Sequence, residues 1–306
     1  MSKFFSGFVP LIGRPNVGKS TLMNHFVGEK ISIVSNKPQT TRNKIRSILT
    51  GKDYQIVFID TPGMHKPTTK LGDFMVKSAV NAITEADAVI LMVEPKPTIP
   101  EADMAIIKRL ESGKTDTPVF LAINKVDTVP KQDLLRIIDS YNKVYPFREI
   151  IPLSALKGDN TEGLLKAVRD VLPQGPMYFP EDQITDQPER QITAEIIREK
   201  ALTFLHEEIP HGLAVEIVNF KLREGHTEDN PSALVDIGAT IFCEKESHKA
   251  IIIGKQGAML KRIGAAARRD IEAILGYRVF LELWVKPKKN WRDNDSLLKN
   301  FGYELK

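Results

Sequence analysis

Apolar residues recur along this chain in two different rhythms. In the first half they form short continuous runs: 4–12 (FFSGFVPLI), 54–60 (YQIVFID), 117–123 (TPVFLAI) and 149–153 (EIIPL). Each run ends in glycine or a polar residue, which predicts strands buried on both faces of a sheet. Segments 44–51 and 54–60, joined near Gly51-Lys52-Asp53, predict an antiparallel edge pair. In the second half the period changes. Residues 192–208 predict a helix, and LAVEIVNFKL and ALVDIGATIFCE alternate with period two, with Leu213, Val215 and Ile217 on one face. A short helix with Ser247 as N-cap is predicted through Ile253. After Gly254 and Gly257, a helical stripe of Met259, Leu260, Ile263, Ala267, Ile271 and Ile274 runs to Gly276 and reads as core. YRVFLELWV closes the pattern, with Val279, Leu281, Leu283 and Val285 on one side. Between the halves, Pro173, Gly175, Pro176, Pro180 and Pro188 interrupt any helix. We read 1–172 as one domain, 173–190 as a linker and 191–306 as a second domain.

The composition agrees with two soluble globular domains: 306 residues, 42% hydrophobic and 27% charged. No apolar run approaches the roughly 20 residues that span a bilayer. The opening MSKFFSGFVPLIG lacks the pattern of a secretory signal. Cys243 is the only cysteine, so no internal disulfide forms, and a reducing, cytoplasmic setting is expected. The net charge of +4 is unevenly placed. Residues 245–306 hold 14 Lys/Arg against 7 Asp/Glu, whereas the rest holds 29 against 32. A polyanionic partner for the C-terminal part follows as an expectation.

The chemistry starts at GRPNVGKST, Gly13 to Thr21, set between a predicted strand and a predicted helix. This is the context that G-x-x-x-x-G-K-[ST] needs to cradle phosphates. Gly13 and Gly18 let main-chain N–H groups of the Asn16, Val17 and Thr21 region surround a phosphate chain. Lys19 adds charge at the β- and γ-phosphates, and Ser20 offers a hydroxyl to Mg²⁺. Asp60 ends a strand and can hold Mg²⁺, while Gly63 of DTPG can present its N–H to a γ-phosphate. Thr41, in the polar segment 37–44, can complete the metal shell only while the γ-phosphate is present. Lys19, Thr41 and Gly63 are therefore the catalytic candidates. Farther on, Asn124, Lys125 and Asp127 of NKVD lie at a strand end. The Asp127 carboxylate can accept from guanine N1–H and the 2-amino group, a donor edge that adenine lacks. Ser154, Ala155 and Leu156 end another strand, where a main-chain N–H can meet guanine O6.

Together GRPNVGKS, the paired threonines, DTPG, NKVD and SAL resemble the guanine-nucleotide-binding domain of translation-factor-related GTPases, over residues 5–172. The resemblance implies a doubly wound α/β P-loop fold, mostly parallel with one antiparallel edge strand. One departure stands out. The place of a water-orienting glutamine is taken by Met64, as in the branch with a hydrophobic residue there. In related GTPases an asparagine at the place of Asn16 helps bind K⁺.

The order α-β-β-α-[GKQG]-α-β of the second half resembles the α+β prokaryotic-type KH domain, whose G-x-x-G loop clamps single-stranded nucleic acid. Gly254 and Gly257 then admit a phosphate–sugar chain, Lys255 and Gln256 form the loop tip, Lys261 and Arg262 neutralise phosphates, and Ile252 and Ile253 floor a groove for bases. A G domain followed directly by a KH domain resembles the Era-type family of bacterial GTPases, and the tail VKPKKNWRDN fits as well. The resemblance implies binding to the 3′ region of small-subunit (16S) ribosomal RNA and a role in assembling the 30S particle. It also implies peripheral association of some members with the inner membrane. A monomer is expected. The alternative from the residues is a GTPase signalling switch acting through protein partners, with the C-terminal domain as an interaction module.

Overall fold

A computed structural model describes residues 3–35, 37, 40–64, 67–113, 116–206, 209–223 and 234–303. Two compact units emerge, the first 3–34, 41–68 and 72–186, the second 187–303 together with the described residues of 35–40 and 69–71.

The continuous apolar runs become the strands of one sheet. Along the chain the first unit reads β1 (Phe5–Gly13), α1 (Lys19–Val27), β2 (Ile45–Thr50), β3 (Tyr54–Asp60), α2 (Lys70–Thr84) and β4 (Val89–Val93). It continues with α3 (Glu101–Ser112), β5 (Val119–Ile123), α4 (Lys131–Asn142), β6 (Glu149–Pro152) and α5 (Thr161–Arg169). The strand order is β2-β3-β1-β4-β5-β6, parallel except for the edge strand β2, which runs antiparallel to β3. The physical reason for unbroken apolar runs is visible in β4. Ile90 and Met92 enter one core with Leu22 and Leu164, while Val89, Leu91 and Val93 enter another with Ile106 and Ile137. Both faces are covered by helices, so neither side of the strand can be polar.

Residues 173–186, expected within the linker, belong to the first unit. Phe5 and Gln174 form an antiparallel bridge, and Ser6 Oγ donates to the Pro176 carbonyl at 2.6 Å. The buried amide of Gln55 grips the segment from both ends. Its Nε2 donates to the Phe179 carbonyl at 2.9 Å, and its Oε1 accepts from the N–H groups of Tyr178 and Phe179 at 2.8 and 3.0 Å. Farther along, Ile48 N–H donates to the Ile184 carbonyl at 2.9 Å. The open edge of β2 is thereby given partners, which removes a template for strand addition.

The second unit comprises α6 (Glu189–Phe204), β7 (Ala214–Leu222), β8 (Leu234–Cys243), α7 (Glu246–Ile253), α8 (Ala258–Leu275), β9 (Arg278–Pro287) and α9 (Asp295–Asn300). The helix expected over 192–208 starts three residues earlier and ends at Phe204, and residues 207–208 and 233 of the expected elements lie outside the described residues. Strand β8 is central, antiparallel to β7 and parallel to β9. A bulge between Ile217 and Asn219 breaks the period-two pattern. Val215 and Ile217 face the core as expected, but beyond the bulge Phe220 and Leu222 do so, and Val218 is left exposed. An inserted residue reverses the parity of every side chain after it. Helix α7 begins one residue before Ser247, which thus lies inside it. The extended Lys245 is the cap residue, and its carbonyl accepts from His248 and Lys249. Cys243 is buried, and its thiol is pushed up by that burial. The tail residues Trp291 and Arg292 are structural. Trp291 is fully buried and donates its indole N–H to the Gly212 carbonyl at 2.9 Å, and Arg292 forms a two-pronged pair with Glu244 at 2.8 and 2.9 Å.

Candidate nucleotide site and nucleic-acid interface

The P-loop glycines answer to close backbone approach. Gly13 has φ +147°, and a Cβ there would lie 2.4 Å from the Met92 carbonyl oxygen. Gly18 has φ +105°, and its Cβ would lie 2.2 Å from Asn124 Nδ2. Helix α1 opens directly after the loop, so its first turn adds N–H groups that favour an anion. Lys19 is buried and donates from Nζ to the carbonyls of Gly13 and Arg14 at 3.3 and 3.0 Å. Burial lowers its pKa from 10.5 to about 8, against the upward pull of Asp60.

This shift has a direction that can be measured. Above pH 8 the free site holds a mostly neutral lysine, whereas a phosphate chain beside Nζ favours the charged form. Binding then takes up a proton, so affinity falls as pH rises. GTP affinity is expected to fall about tenfold from pH 7 to pH 9. Titration with a fluorescent GTP analogue across this range checks it, and a flat profile would contradict a buried, down-shifted lysine.

Ser20, Thr41 and Asp60 lie together. Ser20 Oγ donates to Asp60 Oδ2 at 2.6 Å and Thr41 Oγ1 donates to the same oxygen at 3.2 Å, the two hydroxyls lying 3.1 Å apart. Asp60 is fully buried, which raises its carboxyl pKa despite Lys19 and the hydrogen bonds from the hydroxyls. Its Oδ1 is buried with no hydrogen-bond partner among the described residues. An unsatisfied carboxylate oxygen beside two hydroxyls suits a small hard cation that prefers oxygen ligands. Ser20, Asp60 and Thr41 would hold Mg²⁺, and when bound the ion supplies positive charge to the β- and γ-phosphates.

Around the base, Asn124 has a role that its place in NKVD does not reveal. Almost fully buried, it donates from Nδ2 to the Val17 carbonyl at 2.8 Å and accepts at Oδ1 from the Ala155 N–H at 2.8 Å. One side chain thus ties the P-loop to both base loops. The Ala155 N–H, one of the three main-chain donors considered for guanine O6, is engaged by this bond. Lys125, at φ +65°, donates from Nζ to the Asn16 carbonyl at 2.8 Å and pairs with Glu94. Asp127 is exposed, and its carboxyl is held below the usual range by a hydrogen bond from Ser154, with Lys157 Nζ 3.8 Å away. Ser154 is buried and Leu156 exposed. Gly63 lies against the P-loop, where a Cβ would fall 2.7 Å from Pro15 N. Met64 is buried in a core cluster with Ile12, Ala79 and Val89, and only its N–H reaches the loop, donating to the Gly13 carbonyl at 3.1 Å.

In the second unit, α7 stops at Gly254 (φ +72°), whose Cβ would lie 2.7 Å from that of Met259, and α8 starts after Gly257 (φ +78°). Gln256 between them has φ +50°. Beside this turn runs a groove of about 520 Å³, lined by Gly257, Leu260, Lys261, Gly264, Ala265, Arg268, Phe280, Leu281 and Leu283. Several assignments change here. Ile252 is fully buried in the core and does not floor the groove, and Ile253 packs half-buried on the same core. Arg262 stacks over the Phe204 ring at 4.2 Å from its centroid and is not among the lining residues. Leu260 packs against the core as expected and also lines the groove. Arg268 and Phe280 were missed, although 257, 261, 264 and 268 follow a three-four spacing that places them on one helical face.

The sheet order and this site define the first unit as a P-loop guanine-nucleotide-binding domain and the second as a KH domain. A model of the 50S ribosome-binding GTPases matches residues 8–125, and a KH-domain model matches 208–292. GTPase Era of Ruminiclostridium cellulolyticum is 54% identical over 299 residues, which span 98% of this chain and 97% of the relative. GTPase Era of Clostridioides difficile is 52% identical over 304 residues, covering 99% and 100%. The solved structure of Era in complex with MgGDPNP and nucleotides 1506–1542 of 16S ribosomal RNA is similar at a TM-score of 0.93 and 40% identity, covering 99% of this chain and all of that one. An Aquifex aeolicus Era variant bound to GDP·AlF4⁻ is similar to the same degree. The chain belongs to the Era family of GTPases. No helix among the described residues is long and apolar enough to cross a membrane.

Proposed function

We propose that this chain is a GTP-hydrolysing switch that binds the 3′ region of 16S ribosomal RNA through its KH domain while GTP and Mg²⁺ are held. We further propose that it acts in this way during assembly of the 30S particle. The observation that carries the coupling is the position of Thr41. Its hydroxyl joins Ser20 and Asp60 in the first unit, while Thr40, one residue earlier, groups with the second. The chain crosses between units again after Thr68, soon beyond Gly63. A ligand acting on Thr41 and Gly63 therefore acts on the segments where the chain passes from one unit to the other. Hydrolysis removes the γ-phosphate contacts of these segments and releases the RNA. The similar Era structure, with both MgGDPNP and a 16S fragment, supports the same reading.

In the nucleic-acid interface, Gly254, Lys255, Gln256 and Gly257 form the clamp, with Lys261 and Arg268 facing phosphates along the groove. The working form is a cytoplasmic monomer, and any contact with the inner membrane is peripheral. Asn16 contributes to a K⁺ site at the phosphates.

Capture and sequencing of RNA bound with a GTP analogue and with GDP tests the coupling. Enrichment of a 16S 3′ segment with the analogue alone is the expected result. Equal capture in both states would end the proposed coupling, because a ligand of equal affinity for two states shifts nothing. Hydrolysis measured in K⁺ and then in Na⁺ tests the role of Asn16, and equal rates would remove K⁺ from the site. Particle sedimentation, vesicle flotation and light scattering check the 30S, membrane and monomer assignments in turn.

A further inference from the structure

Behind the P-loop lies a chain of alternating charges. Arg14, the second residue of the loop, donates from Nε to Asp103 Oδ1 at 2.7 Å, and this carboxylate of α3 is completely buried. The other oxygen of Asp103 accepts from the Tyr141 hydroxyl of α4 at 3.3 Å. On its far side Arg14 presents Nη2 to Glu94 Oε2 at 3.8 Å, and the remaining Glu94 oxygen pairs with Lys125. Lys125 then returns to the P-loop at the Asn16 carbonyl. The series Asp103, Arg14, Glu94, Lys125 alternates in sign and grips the loop on both sides of Pro15.

None of these four charges belongs to the metal set, and Asp103 and Glu94 stand outside every nucleotide-binding motif in the sequence. A buried carboxylate is expensive unless paired and hydrogen-bonded. Asp103 has both kinds of partner, and the partner it holds carries the backbone carbonyl that accepts from Lys19. Moving Arg14 moves that carbonyl, and with it the ammonium that meets the phosphates. Pro15 is also where Gly63 makes its close approach.

We infer that Asp103 and Glu94 are positioning residues for nucleotide binding: through Arg14 and Lys125 they hold the P-loop in the conformation that receives the phosphates before any nucleotide arrives. Pre-organisation of this kind improves affinity by lowering the cost of ordering the loop on binding. It contributes to ground state and transition state alike, so its loss appears in Kd or KM rather than in kcat.

The test uses the full chain, with the unaltered protein measured in parallel. If the unaltered chain bound no GTP, the GTPase reading itself would fail, whereas the present inference concerns only the variants. Asp103→Asn keeps the shape and removes the charge. Its Kd for GTP and for GDP is expected to rise about tenfold each, with kcat at saturating GTP within about twofold. Glu94→Gln and Tyr141→Phe are milder changes that keep the question open to refutation even if Asp103→Asn folds poorly. Each is expected to raise Kd about threefold, and the pair Asp103→Asn/Glu94→Gln to be non-additive. If folded variants bind GTP like the unaltered chain and differ only in melting temperature, the network is packing and the inference is wrong. A fall in kcat with unchanged Kd would also overturn it, because the residues would then act on the transition state alone.

Discussion

Gly18→Ala is expected to weaken GTP binding at least about a hundredfold, a loss of about 2.7 kcal/mol or more. Two independent penalties meet at this residue. At φ +105° a side chain is strained, which costs of order 1–3 kcal/mol. In addition its Cβ would stand 2.2 Å from Asn124 Nδ2, a separation no pair of heavy atoms tolerates without movement. Asn124 has little freedom to move away, since it bridges the Val17 carbonyl and the Ala155 N–H. The clash therefore spreads from the phosphate loop to the base loops, and both halves of the nucleotide lose their seat. Titration with labelled GTP measures the effect, and circular dichroism shows that the domain is still folded. Binding within threefold of the unaltered chain would mean that Asn124 is not the rigid tie described above. The same substitution is expected to leave the second unit's thermal transition in place, because its core shares no side chain with the P-loop.

Trp291→Ala is expected to destabilise the second unit by about 3–5 kcal/mol, the range for removing a large aromatic from a core. Trp291 is fully buried and lies 5.4 Å from the Phe301 ring and 6.1 Å from that of Tyr303. Its removal leaves a cavity under α9 and an unpaired carbonyl at Gly212, since the indole N–H was its donor at 2.9 Å. Aromatic contacts of this kind add roughly 0.5–1.5 kcal/mol beyond area burial. Urea denaturation followed by fluorescence of the remaining tryptophan, Trp284, measures it. Trp284 lies in β9 and is about half exposed, so it remains as a reporter. A change below 1 kcal/mol would show that the tail segment is not part of the core.

These two residues also mark the limits of reading the chain unaided. Gly18 is legible because phosphate binding requires a contiguous loop, and its constraints are written in neighbouring positions. Trp291 is not, because what buries it lies 79 residues away at Gly212 and ten or more residues ahead at Phe301 and Tyr303. The same division runs through the interface. The glycines of GKQG were legible as a turn, and their positive φ values bear that out. Arg268 was not assigned, since nothing local says which helical face looks across at β9. Ile252 illustrates the reverse error: an apolar residue beside a binding loop suits a groove floor and a core equally well, and only its complete burial decides between them.

By itself the sequence determined the strand–loop–helix phosphate cradle, the mostly parallel sheet with an antiparallel edge, and the order of elements in the KH domain. Each of these depends on local periodicity or on residue chemistry at strand ends, which the sheet then gathers along one edge. Only the tertiary structure decided the parity switch at Val218, the grip of Gln55 on residues 178 and 179, the bridging role of Asn124, and the charge series from Asp103 to Lys125. Their partners are joined by packing across large sequence separations. A carboxylate on α3 has no local mark of the arginine it will meet 89 residues away.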